Sequence, residues 1–316
     1  MRQSDTKGVY VSNDVRTLCH LSQRNVKMTN PILYEQHMHT PLCRHARGKP
    51  GEYAAVAEHV GLKGIVVTCH NPLPDGLCAA SRMDPEDFPA YVDLVREARA
   101  TWAGRIDIRL GLECDFMPGL ESWLERQINA ADLHHVLGSI HPHTREYRER
   151  FWRGSPVAFF KQYYEHLAEA AETGLFDTLS HPDIIKNMYI DDWNPDMLMD
   201  EILTCLDRVA KTGIAMELNT SGLDKKLPEM NPGRKILEKI HERGIPIVIG
   251  ADAHIPERVG DDFPEAIDLL DDIGFKTVSI FLDRTRHDIP IDLARTSLTD
   301  ATSSSDESNE DEGPTQ

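Results

Sequence analysis

The chain has 316 residues, enough for one large or two small domains with a substantial core. Its formal charge of -18, from 52 acidic against 34 basic residues, argues against nucleic-acid binding through a broad basic surface. It leaves room for a phosphorylated substrate, because bound divalent cations invert the charge of an acidic, histidine-rich pocket.

No apolar stretch approaches the length of a membrane span, and residues 1–27 are polar without a signal-peptide core. Six cysteines, Cys19, Cys43, Cys69, Cys78, Cys114 and Cys205, show no CxxC spacing and read as reduced thiols packed in the core of a cytoplasmic protein. Residues 1–27 read as an N-terminal extension. From residue 28 onward the elements alternate. The apolar run Ile32-Leu33-Tyr34 reads as a strand, in which residues two apart share a face, so His37 and His39 aim together. His45 lies just past the turn that Pro41 enforces. Three imidazoles at one strand end suit Zn, Mn or Fe better than a hydrophobic core.

A helix with Tyr53, Val56, Ala57 and Val60 on one face starts at Pro50 and ends at Gly61. The apolar run 64–70, ending in His70, is of the kind buried on both faces of a parallel sheet. A polar loop and a helix over 85–103 precede a third strand over 106–116, which carries Glu113 and Asp115. A helix over 120–131 leads to a fourth strand over 135–141, ending in His141. A long insert over 142–154 holds Arg145, Arg148, Arg150 and Arg153. After a helix over 157–173, the fifth strand over 176–179 runs into His181. Leu198, Ile202, Leu206 and Val209 stripe the next helix, and the sixth strand spans 214–219. A helix with Ile236, Leu237 and Ile240 inward precedes the seventh strand, 247–254, where Asp252 and His254 form a second pair two residues apart. A helix over 266–273 and a strand over 276–281 follow. From residue 300 the chain turns to Ser, Asp and Glu, an acidic tail that buries too little to offset its ordering entropy.

This alternation argues for a parallel barrel or a doubly wound sheet. In a parallel barrel all strand ends of one sense open on one mouth, so His37, His39, His70, Glu113, His141, His181, Asp252 and His254 converge there. Each alone would be an ordinary solvated or core residue; their joint placement points to a metal cluster. The remaining histidines fall off these positions.

The segments QHMHTPLCRHA, VVTCHNPLP, GLECDF, HHVLGSIH, LFDTLSHPDIIK, MELNTSGL and VIGADAH, in that order over 31–281, resemble the PHP (polymerase and histidinol phosphatase) superfamily, in its histidinol-phosphatase branch. The resemblance implies an α/β fold, a distorted TIM-like barrel of seven parallel strands over 28–299, followed by the tail at 300–316. It also implies three divalent ions, Zn, Mn or Fe. The first is expected on His37, His39, Glu113 and Asp252, the second on His70, His141 and a shared Glu113, and the third on His45, His181 and His254. The implied reaction is hydrolysis of a small phosphate monoester, L-histidinol phosphate in histidine biosynthesis, by attack of a metal-bridging hydroxide. Glu113 would be shared between ions, and Asp252 or His254 would donate a proton to the leaving group. Arg145, Arg148, Arg153, Lys186, Asn219 and Ser221 are the candidates for substrate binding. Three positions depart from the family pattern: Cys69 in place of an acid, Pro142 in place of a bulky residue, and Asp224 in place of an arginine. A related phosphoesterase acting on another small phosphometabolite or nucleotide is the nearest alternative; a non-catalytic PHP module and a hydrolase of C–N or C–O bonds are further ones.

Overall fold

The computed structural model describes residues 32–306, with side chains to residue 298. The extension over 1–27 and residues 307–316 of the tail lie outside that range. In chain order the elements are β1 (Tyr34–Glu35), α1 (Pro50–His59), β2 (Gly64–Val67), α2 (Phe88–Thr101), β3 (Asp107–Asp115), α3 (Glu121–Ile128) and β4 (His135–Ser139). They continue with α4 (Arg145–Phe151), α5 (Pro156–Glu172), β5 (Thr178–Leu179), α6 (Met199–Thr212), β6 (Ala215–Asn219), α7 (Arg234–Glu242) and β7 (Ile247–Gly250). The last are α8 (Phe263–Ile273), β8 (Thr277–Leu282), β9 (Thr285–Pro290) and α9 (Ile291–Asp306).

Every residue of β2, β4, β6 and β7 is buried. That burial on both faces is what strands need when helices cover the outside of a sheet whose inside is filled by its own side chains. β1 to β7 form one parallel sheet in chain order. The ends of the sheet meet where Met38 pairs with Ala253: the His39 N–H donates to Ala253 O at 2.9 Å and the Ala253 N–H to His37 O at 3.0 Å. The seam of the nearly closed barrel therefore runs through the two segments richest in metal-binding side chains. The helices bury the stripes their sequences set out, as α6 does with Ile202, Cys205, Leu206 and Val209 before Gly213 ends it at φ 76°.

Three elements differ from the sequence pattern. The arginine-rich insert is not an open loop: Thr144 caps α4 by accepting from the Tyr147 N–H, and the helix buries Tyr147. The strand after α8 does not extend the parallel sheet. It pairs antiparallel with β9, through a two-residue turn in which Asp283 and Arg284 both have positive φ, 52° and 57°. α9 carries helical backbone to Asp306, past residue 300 where the composition changes. Among the described residues no helix is long and apolar enough to cross a membrane.

Candidate metal centre

Because β1 to β7 are parallel, the segments at their carboxyl ends share one mouth, and all but β6 bring a donor to it. His37 and His39 follow β1, His70 follows β2, Glu113 lies within β3, His141 follows β4, His181 follows β5, and Asp252 and His254 follow β7. His45 comes from the segment after the short turn at Pro41–Cys43. His70 pairs directly with Glu113 across the β2–β3 seam. His181 and Asp252 hold positive φ, 27° and 50°. For residues other than glycine such backbone costs about 1–3 kcal/mol each and persists where the surroundings over-determine it.

Glu113 is the hub. Its Oε2 lies 2.7 Å from His70 Nδ1 and 3.5 Å from His39 Nε2. Its Oε1 lies 2.9 Å from His181 Nε2 and 3.4 Å from both His37 Nε2 and His141 Nε2. Asp252 Oδ1 faces His39 Nε2 at 3.1 Å and His37 Nε2 at 3.5 Å. Burial alone would raise both carboxyls, but the surrounding imidazoles hold each well below the usual carboxylate range. Burial and then Arg82 push His70 well below the usual imidazole value, so it is neutral. At His39 burial acts downward and is overcome by Asp252, Cys43 and Glu113, which bring it to about 9. A cation entering here displaces protons.

The donors form three neighbourhoods. His37, His39, Glu113 and Asp252 make the first, as the sequence predicts. In the second, His141 and His181 share Glu113. In the third, the ring of His45 sits 4.7 Å from that of His254 and 5.3 Å from that of His70. His181 does not join His45 and His254; its ring neighbours are His37 and His141. His70 takes that place while still touching His141. Strand adjacency is the reason, since β5 lies beside β4, and β2 beside β1.

The residues fit a cation cluster. His37 Nε2, both nitrogens of His39, His70 Nδ1, Glu113 Oε2 and His181 Nδ1 are buried without a partner in hydrogen-bonding geometry, a costly condition unless a cation completes them. His45 Nδ1 donates to Cys43 O at 2.7 Å and His254 Nδ1 to Asp252 O at 2.9 Å, so their protons sit on Nδ1. Their Nε2 atoms then face each other at 2.9 Å, a pairing that a metal ion or a shared proton makes favourable. Groups such as His37, His39 and Glu113, or His39, His70 and His254, bring one donor atom each within 4.8 Å of the others.

Partners behind the rings fix their orientation. Glu217 accepts from His37 Nδ1 at 2.7 Å. Asp115 pairs with His141 Nδ1 and with the buried Arg82. Ser139 donates to Glu113 Oε1 at 2.6 Å. Gly250 is required beside this frame, because a Cβ there would lie 2.2 Å from Glu217 Oε1 and 2.8 Å from His37 Cβ.

The mouth opens into a cleft of about 990 Å³. Of the predicted substrate residues, Arg145 and Ser221 line it. Arg148 and Arg153 do not, since α4 presents only its first turn to the cleft. Lys186 is fully buried and spends its protons on Asp183 Oδ2, Glu229 Oε2 and Met230 O, which makes it a structural residue. Asn219 acts indirectly, accepting from the Ser221 N–H and hydroxyl. The sequence pattern does not single out Arg82, His143, Lys225 and Arg258, which line the cleft from irregular segments without periodicity. Glu217 had a signal, a lone carboxylate in the apolar strand β6.

A model of the PHP domain family matches residues 35–221. A Deinococcus radiodurans protein described as "Probable histidinol-phosphatase" is 38% identical over 258 residues, covering 78% of this chain and 96% of that protein. The histidinol-phosphatase of Bacillus subtilis is 24% identical over 253 residues, covering 71% of this chain and 94% of that protein. Among solved structures, histidinol phosphate phosphatase from Lactococcus lactis, complexed with Zn, L-histidinol and phosphate, matches with a TM-score of 0.68 at 18% identity, over 81% of this chain and 98% of that one.

Proposed function

The chain belongs to the PHP domain family, and from that premise we propose that it is a metal-dependent phosphomonoesterase converting L-histidinol phosphate to L-histidinol and phosphate, a reaction of histidine biosynthesis. The observation that carries the proposal is the set of imidazoles and carboxylates around Glu113 at the floor of an open cleft. A first cation would be held by His37, His39, Glu113 and Asp252, a second by Glu113, His141 and His181, and a third by His45, His70 and His254. When bound, such ions polarise phosphoryl oxygens, lower the pKa of water and offset charge on the leaving oxygen.

The protein's own groups do the rest. Asp252 stays ionised at neutral pH, which suits holding a cation or accepting a proton and not donating one. His254 directs its N–H to the Asp252 carbonyl and offers a lone pair to the cleft, so it also binds instead of protonating. The expected proton-donor role therefore falls to neither residue. Arg145, Lys225 and Arg258 line the cleft and attract a phosphate, while Glu146 and Asp224 line it as well and suit the ammonium group of histidinol. Arg258 is itself held 2.6 Å from Asp224.

The test is phosphate release from L-histidinol phosphate and from a panel of other phosphomonoesters and nucleotides, before and after chelation and with Mn or Zn restored. Chelator-sensitive release confined to histidinol phosphate is the expected result. Release from another panel member moves the substrate and keeps the chemistry, and metal-loaded protein that releases nothing overturns the proposal.

A further inference from the structure

A second hollow, of about 480 Å³, lies between the end of α1, the segment before α8, and the helices α8 and α9. Its floor is apolar, formed by Val60, Leu62, Val259 and Leu298. Its rim is acidic: Glu257, Asp261, Asp262, Glu265 and Asp268 line it against one cation, Arg295, which is itself held 3.1 Å from Asp268. An apolar floor inside a ring of carboxylates suits a segment that carries aliphatic side chains among basic ones. The chain enters the described residues beside this hollow. Leu33 O accepts from the Lys63 N–H at 2.7 Å, next in sequence to Leu62 of the floor. The wall is tied to the first strand as well, since the Gly260 N–H donates to Glu35 Oε2 at 3.0 Å. That wall sits close on the floor, and a Cβ at Gly260 would lie 3.2 Å from Leu62 Cδ1.

We propose that this hollow is the docking site of the chain's own N-terminal segment, residues 9–27, which sets aliphatic side chains on the floor and basic ones against the rim. Residues 1–31 hold five basic residues, Arg2, Lys7, Arg16, Arg24 and Lys27, against Asp5 and Asp14, in a chain whose net charge is -18. Val9, Val11, Val15, Leu18 and Leu21 supply the aliphatic side chains between them. The other end of the chain is the competing occupant and fits badly. α9 passes the hollow at Leu298 and runs on to Asp306, and residues 299–316 hold six acids and no base, so they meet a rim of their own charge. A second copy would bring the same N-terminal segment, but the tether favours the segment of the same chain, whose effective concentration at so near a site is on the order of millimolar. Docking here bears on the cleft, because one segment walls both spaces: Ile255 and Arg258 line the cleft, and Glu257 and Val259 to Asp262 line the hollow. The docked segment therefore braces from behind the stretch that carries His254 and Arg258, whichever phosphate ester the cleft takes.

The experiment places the photo-crosslinker p-benzoylphenylalanine in the purified full-length protein at Glu265, an exposed rim position on α8. The same group at Glu125, exposed on α3, is the control. After illumination of dilute protein and digestion with trypsin, mass spectrometry identifies the captured peptide. The expected capture from position 265, and not from position 125, is of residues 8–16 or 17–24 of the same chain. Combining Leu18→Asp and Leu21→Asp with the crosslinker should reduce that capture roughly tenfold or more, since burying even one leucine is worth a factor of that order. Both substitutions lie before the first strand of the barrel, so folding of the barrel stays out of the comparison. A covalent dimer assigns the hollow to a second copy and overturns the inference. Capture confined to the acidic tail or to the walls of the hollow overturns it too, as does capture that the two aspartates leave undiminished. None of these outcomes depends on phosphate release, so failure of the docking and failure of the proposed reaction are read separately.

Discussion

Glu217→Gln changes one atom type and asks how far His37 depends on the carboxylate behind it. Glu217 is fully buried and takes three donors: Oε1 accepts from His37 Nδ1 at 2.7 Å, and Oε2 from the His181 N–H at 2.9 Å and from Asn219 Nδ2 at 3.0 Å. Glutamine has a single acceptor oxygen. Turned toward His37, it leaves an NH₂ facing two N–H donors. Turned the other way, it leaves the NH₂ facing His37, whose proton must move to Nε2, the nitrogen aimed at Glu113 and Asp252. In either orientation at least one buried donor is unpaired, a cost of about 1–3 kcal/mol. The second orientation also takes His37 out of its metal-binding tautomer. Loss of such a partner weakens metal binding roughly 10- to 100-fold, or about 1.4–2.8 kcal/mol. Zn affinity by chelator competition and urea unfolding of the metal-stripped protein measure the two effects separately, and both should fall. A variant that loses stability while binding Zn like the wild type would refute the orienting role; one unchanged in both would refute the network.

Three further perturbations have defined outcomes. Gly250→Ala should lose metal content and lower the unfolding temperature together, because the added Cβ would lie 2.2 Å from Glu217 Oε1; full Zn content by elemental analysis would contradict this. Lys186→Met leaves Asp183 buried without its cation and should cost about 3–5 kcal/mol in urea unfolding, with the KM for a phosphate ester unchanged, whereas a raised KM would restore Lys186 to the substrate site. Burial beside Tyr147 and Gln162 lowers His166 to about 4. The unfolded chain, with an imidazole near pKa 6.5, binds more protons between those values, so stability falls as pH drops from about 6.5 to about 4. His166→Gln should flatten that part of the urea-midpoint profile, and an unchanged slope would refute the assignment.

The fold was legible where each element carries its own signal. β2 and β7 are apolar runs between polar segments, and α6 and α7 show inward stripes closed by glycine. The hairpin of β8 and β9 was not, because Asp283-Arg284 is a poor signature for a turn that glycine or asparagine usually fills. α4 was hidden because its seven residues carry three arginines and one buried Tyr147. So short a helix depends on its Thr144 cap and on one tertiary contact more than on periodicity.

At the site, the side chains that meet at the mouth were legible, and which of them stand next to one another was not. The pairs at 37 and 39 and at 252 and 254 announce themselves by spacing, and each remaining donor sits at the end of an apolar run. Which donors stand together depends largely on which strands are neighbours, and here the sheet order equals the chain order. That makes His141 and His181, on β4 and β5, neighbours around Glu113, and it sets His70 beside the segment that carries His45. The seam adds the one contact that chain order alone does not give, bringing β7 against β1, so that Asp252 reaches His37 and His39 and His254 reaches His45. Once the barrel is taken as closed in chain order, the contacts of His141 with His181 and of Asp252 with His37 follow from strand order, while the contact of His181 with His37 crosses the mouth. The residues behind the rings, Glu217, Asp115 and Arg82, stay out of reach of that rule, because they are set by the side chains each ring meets and not by any spacing along the chain.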